Sequence, residues 1–272
     1  MSKQLLSLLQ RVKKRRIKEK YGDSPKKMLY LILQEVKEVK HYGAFKNWEL
    51  MTELLAQWLV RHGDLTNGSM GVIRPFEGLP EPGELYEHID EQGWLQGFVE
   101  AAKKKPWDYI GEVYQELGLV GQGQDMTPRA VVELTLKTTF GDPWKFDAKL
   151  FSYYSYERYL LWYYAANHVH PSHLRPMEFP MQTQLDPTVG TGRFLIEASR
   201  LYPKAPLVQF GVEINLALYR ACLVNMAMFS KHPFSIICAD SLRLDPEKSG
   251  PSSPIWDLGN RWNPPDVSEF YS

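Results

Sequence analysis

Three short stretches in the C-terminal half place reactive groups at regular intervals. The first is Asp186-Pro187-Thr188-Val189-Gly190-Thr191-Gly192, the second ends on Glu213, and the third ends on Asp240. Each stands at the end of a run of strand length. The two glycines permit a tight turn and let a ligand approach the backbone. A helix opening near Arg193 would offer free N–H groups above that turn. Glu213 lies 21 residues beyond Gly192 and can accept hydrogen bonds from both hydroxyls of a ribose. Asp240 can accept from an exocyclic amine of a base. Together these groups describe a nucleoside site. A dinucleotide fingerprint wants a third glycine three residues past Gly192, and Leu195 stands there instead.

Such a site needs an open parallel sheet, because ligands bind beyond the carboxyl ends of its strands. The pattern supplies one. Strands are expected at 182–185, 207–212 and 234–239, with a fourth at 255–258, and helices at 193–201 and 215–229 fall between the first three. This βαβαβ rhythm predicts an α/β domain. Upstream, apolar periodicity predicts helices over 2–20, 26–40, 47–62, 86–104 and 108–117. Thr127-Pro128 would open another to about residue 138, with Thr as cap and Pro in the first turn. Residues 64–86 are rich in Gly and Pro and read as a loop. Residues 151–166 are dense in aromatics at helical spacing. The chain is expected to divide into a mainly helical region, 1–105, and a second domain, 106–272.

The stretch Asp-Pro-Thr-Val-Gly-Thr-Gly-Arg-Phe-Leu resembles the first motif of the N6-adenine DNA methyltransferases, in particular the modification subunits of type I restriction systems. Gly123-Gln124-Asp125-Met126-Thr127-Pro128 is similar to that family's Gly-Gln-Phe-Phe-Thr-Pro motif, and the helix around Ile110-Gly111-Glu112-Val113-Tyr114 also matches. Phe210-Gly211-Val212-Glu213-Ile214 and Ala239-Asp240-Ser241-Leu242 look like the second and third motifs. The likeness spans roughly residues 107–265, apart from an unmatched insertion near 140–180. It implies a class I, Rossmann-like S-adenosylmethionine (SAM) dependent methyltransferase core. It also implies a cofactor site drawn from Gln124, Thr127, Pro128, Asp186, Pro187, Thr188, Gly190, Thr191, Gly192, Phe194, Glu213, Ile214, Asp240 and Ser241. In that family the Thr-Pro turn lies beside the methionine end of SAM.

The family's catalytic sequence is Asn-Pro-Pro-(Tyr/Phe), and this chain has Asn263-Pro264-Pro265-Asp266. The exocyclic amine of adenine is a poor nucleophile, because its lone pair is delocalised into the ring. An Asn side-chain oxygen and a Pro carbonyl that accept its two N–H bonds favour a tetrahedral nitrogen. The aromatic fourth residue stacks on the flipped base. Asp266 cannot stack. Seven residues follow Pro265, so the later strands of the family's sheet and a target-recognition region are not expected. The sheet is therefore expected to be truncated, with an open edge covered by the N-terminal helices, a second copy or a partner subunit.

The formal net charge is zero, but residues 1–27 hold ten Lys and Arg against Glu19 and Asp23, a surplus of eight. Lys13, Lys14, Arg15 and Arg16 are its centre and are the candidate phosphate contacts for DNA; a solvated helix face is the alternative. Two cysteines, Cys222 and Cys238, are too few for a disulfide framework, and both are expected to be buried free thiols. His168, His170 and His173 have loose metal-ligand spacing but lie among prolines, and no metal site is expected. No signal sequence or membrane span is legible, and a cytoplasmic location is expected. Two further functions stay open. One is a degenerate module that binds SAM or DNA without chemistry. The other is methylation of RNA or a protein amide.

Overall fold

The computed structural model describes Val12 and residues 24–63, 83–121, 126–141, 182–203, 207–232 and 234–243. They form two compact units, one of residues 24–62 and 83–121 and the other of residues 126–243. The chain is α/β, mostly helical, with a small parallel sheet of three strands among the described residues. The expected segments 2–20 apart from Val12, 151–166 and 255–258, and the histidine cluster, lie outside the described residues, as do residues 64–82 of the loop expected over 64–86; its last residues are instead helical, because a helix begins at Glu84.

The first unit is built around α1 (Pro25–Lys40), with α2 (Ala44–His62), α3 (Glu84–Glu91), α4 (Trp94–Lys104) and α5 (Tyr109–Glu116) packed on it. Ser24 caps α1 by accepting from Lys26 N, and Pro25 occupies its first turn. Leu29, Ile32 and Val36 recur at helical spacing and are buried. Trp48 is fully buried; its ring meets Tyr114 edge-on at 4.7 Å, and its Nε1 donates to the Ile110 carbonyl at 3.1 Å. Lys26 reaches Glu112 and Glu116 at 3.0 and 2.7 Å. The helix of residues 109–116, grouped by sequence with the C-terminal region, thus shares its core with α1 and α2. The single helix expected over 86–104 is two helices. Gly93 takes a φ of 67° between them, a left-handed conformation that breaks the helix.

In the second unit the order is β1 (Gln182–Asp186), β2 (Leu207–Glu213), β3 (Phe234–Cys238), all parallel. Asp186 pairs with Gly211, and Glu213 with Cys238. α7 (Arg193–Leu201) links β1 to β2, and α8 (Leu216–Phe229) links β2 to β3. α6 (Arg129–Phe140) packs on α7, where Val132, Leu136, Ala198, Tyr202 and Leu207 form one cluster. Asn215 caps α8, accepting from Ala217 N and Leu218 N. α8 is apolar nearly all round, which suits a helix buried on most sides. Val212 and Ile237 are buried on the sheet face opposite Gln209. A strand covered on both faces is the usual state of a parallel sheet.

The helix-side face carries a buried polar network. Gln209, fully buried, donates to Gln184 at 2.9 Å and to the Leu195 carbonyl at 2.8 Å. Ser199 and Ser230 each lie 3.1 Å from its amide oxygen. A buried amide left unpaired would cost a few kcal/mol, so these contacts fix where α7 sits on the sheet.

His232 closes the network. Burial pushes its imidazole down to about 4, opposed by a hydrogen bond with the Tyr202 backbone. The folded chain therefore resists protonation while the unfolded chain accepts a proton below about 6.5. Stability from this group is complete at neutral pH and is lost as pH falls from about 6.5 to 4, by roughly 3 kcal/mol in all. Urea unfolding across that range should show a shallower pH dependence for His232→Gln than for the wild type. Equal slopes would contradict it.

Candidate functional site

The carboxyl ends of the three strands bring together the groups the sequence spaced apart. After Asp186 the chain turns sharply. Val189 N donates to the Val212 carbonyl at 2.9 Å, and Gly192 N donates to the Val189 carbonyl at 2.8 Å. Thr188 N donates to Asp186 Oδ1 at 3.1 Å. Gly190 and Gly192 have φ of 55° and 94°, the left-handed region that glycine enters without strain. Pro187 and Thr188 are exposed, Thr191 is buried, and Phe194 is half-buried against the α6–α7 cluster.

The two glycines serve different purposes. Among the described residues, a Cβ at Gly190 would meet nothing within 4 Å, so this side of the turn is open to them. A Cβ at Gly192 would lie 3.0 Å from Cys222 Sγ. Below the turn, Asn225 of α8 donates to the Thr191 carbonyl at 2.8 Å.

Glu213 is the centre of the site. It is buried; its Oε2 accepts from Gly190 N at 2.9 Å and its Oε1 from Asn215 N at 2.8 Å. Its own carbonyl accepts from Ala239 N at 3.0 Å. Ionised, a carboxylate has about four acceptor positions, so two remain after these bonds among the described residues. Burial raises the Asp186 carboxyl, the Thr188 amide opposes this, and the nearby Glu213 charge adds to the rise. Past β3, Asp240 Oδ1 accepts from Leu242 N at 3.0 Å, and Ser241 opens a 3-10 turn to Arg243. Ile214 and Leu242 project apolar surface at this rim, 68% and 94% exposed.

The Thr127-Pro128 turn also belongs to this unit. Pro128, not Thr127, is the cap residue of α6. Its ψ of 145° is extended, so helical conformation begins at Arg129, and its carbonyl accepts from Val131 N and Val132 N. Arg193 donates from the glycine turn to the Thr127 carbonyl at 3.0 Å.

Cys222 is buried as expected, but Cys238 is exposed, because it is the last residue of β3 and stands at the open rim. Burial nevertheless raises its thiol, helped by Glu213 and opposed by Arg220. Gln124, Lys13, Lys14, Arg15, Arg16, Asn263, Pro264, Pro265 and Asp266 lie outside the described residues. Among the described residues no His, Cys, Asp and Glu group is arranged to hold a metal, and no helix is long and apolar enough to cross a membrane. Sequence reasoning did not single out Asn215, Asn225 or Arg193. Asn225 did leave a signal, as a lone amide in the apolar run 221–229.

Compared with family models, curated proteins and solved structures, the chain matches none.

The two glycines should respond unequally to alanine. Gly190→Ala carries the left-handed backbone cost, about 1–2 kcal/mol. Gly192→Ala adds a collision with Cys222 and should destabilise the unit by more. Urea midpoints of the two variants would show the order; equal losses would refute the contact.

Proposed function

We propose that the second unit binds SAM at the carboxyl ends of β1, β2 and β3, and that the chain transfers a methyl group to adenine N6 in DNA. The observation that carries this reading is the juxtaposition of the open glycine turn with the Glu213 carboxylate. The residues fit such a ligand. Glu213 keeps acceptor positions for ribose hydroxyls, Gly190 leaves room above the backbone, and Ile214 and Leu242 offer apolar surface to a base. Asp240 stands beside them for an exocyclic amine. Asp186 and Glu213 make the pocket favourable for a cation.

SAM would supply a methyl group on a sulfonium carrying positive charge. The chain's part is to hold the acceptor. Asn263 and the Pro264 carbonyl would accept the two N–H bonds of the amine and orient its lone pair. The basic segment around Lys13, Lys14, Arg15 and Arg16 would bind phosphates, and a partner subunit or second copy would complete target recognition. A second reading, SAM or DNA binding without transfer, is favoured by Asp266 at the position where the family stacks a base. Transfer to RNA or a protein amide is a variant of the first.

Labelled SAM with adenine-containing DNA separates these readings. Transfer that Asn263→Ala abolishes while SAM binding persists supports methylation of DNA. Binding with no transfer to DNA, RNA or protein supports the module. Absence of SAM binding sinks both.

The acid pair adds a pH dependence. The raised Asp186 carboxyl takes up its proton at a higher pH than an ordinary aspartate, and the site then loses negative charge. SAM affinity measured by calorimetry should fall as pH is lowered through the Asp186 titration, and Asp186→Asn should flatten that fall. A steeper fall in the variant would contradict it.

A further inference from the structure

Arg193 is the first residue of α7, at the positive end of the helix dipole, where a cation is unfavourable. It is also buried, only 6% exposed. Burying a guanidinium costs several kcal/mol unless strong hydrogen bonds offset it. Both costs point to a specific task, and its partner shows which one. Its Nη1 donates to the Thr127 carbonyl at 3.0 Å, across 66 residues of sequence. Thr127 and Pro128 form the extended turn that opens α6, and Arg193 directly follows Gly192.

The contact is answered from the other side. Arg129, first residue of α6, reaches back to Glu197 Oε2 at 3.4 Å, and Glu197 is fully buried on α7. Arg200 pairs with Glu197 and also binds Glu133 at 2.8 Å. The outer pairs orient α6 on α7, but none of them touches the Thr127-Pro128 turn. The Arg193 bond is a side-chain contact that ties that turn directly to the glycine turn.

We propose that Arg193 is a positioning residue that fixes the Thr127-Pro128 turn as a wall of the ligand site above Gly190-Thr191-Gly192. It acts through the turn and need not touch the ligand. The ligand's identity as SAM rests on the function proposed above, while the tether itself does not.

Hydrogen exchange on the full chain without ligand tests the tether. Val131 and Val132 donate to the Pro128 carbonyl, and Gly141 N donates to the Lys137 carbonyl at the far end of α6. In Arg193→Gln, Val131 and Val132 should exchange roughly tenfold or more faster, with Gly141 unchanged. Arg193→Lys keeps a charged donor and should recover part of the protection. Equal acceleration at both ends, or none at the first turn, overturns the proposal.

Calorimetry with SAM tests the consequence. Arg193→Gln should bind roughly ten- to a hundredfold more weakly than wild type. Leu223→Ala, which destabilises the same unit from α8, should bind as wild type does. Undiminished SAM binding by Arg193→Gln overturns the positioning role. If wild type itself binds no SAM, the function proposed above fails, and the exchange result alone decides whether Arg193 holds the turn.

Discussion

Glu213 is the interaction on which the carboxyl end of the second unit's sheet depends. A parallel sheet has no hairpins to align its strand ends, so loops that arrive from separate crossovers must be fastened individually. Glu213 fastens three. Its carboxylate holds Gly190 after β1 and Asn215 after β2, and its carbonyl holds Ala239 after β3. The Val189–Val212 bond, one residue back along β2, closes the same seam. An acid in this place does structural service before any ligand arrives. Its desolvation is offset by two backbone donors, which is how a carboxylate is tolerated at such low exposure.

Behind that end, polar contacts within an apolar setting decide the geometry. Gln209 fixes α7 on the sheet, Asn225 holds the glycine turn from below, and Arg193 joins that turn to the Thr127 carbonyl. The surrounding apolar clusters supply most of the burial but little direction, because hydrophobic contact is not directional. Buried hydrogen bonds are directional and costly to leave unmade, so they select one arrangement among several that would bury similar area.

The sheet was legible because its strands announce their ends. Leu207–Val212 and Phe234–Cys238 are apolar and β-branched runs stopped by acids, and the glycine turn is punctuated within seven residues. Three features were misread for identifiable reasons. The break at Gly93 was hidden because apolar spacing continues across it into α4. Thr127 has the better capping side chain, yet the extended ψ of Pro128 sets the helix start. Helix Tyr109–Glu116 was assigned by its neighbours in sequence, whereas Trp48 decides its neighbours in space. Arg193 gave no hint, since a cation beside a glycine turn reads as solvent-exposed until its burial is seen. The residues proposed to act on an acceptor base lie outside the described part of the chain, and their reading stays one of motif chemistry.

The fit between Gly192 and Cys222 has a consequence for how this site could change. The floor of the turn is set by a sulfur atom thirty positions away in sequence, on α8. A bulkier side chain at 222 would lift the turn, and a smaller one would let it settle. The height of the loop is therefore inherited from behind, and a substitution there moves the turn while leaving every residue at the strand ends as it is.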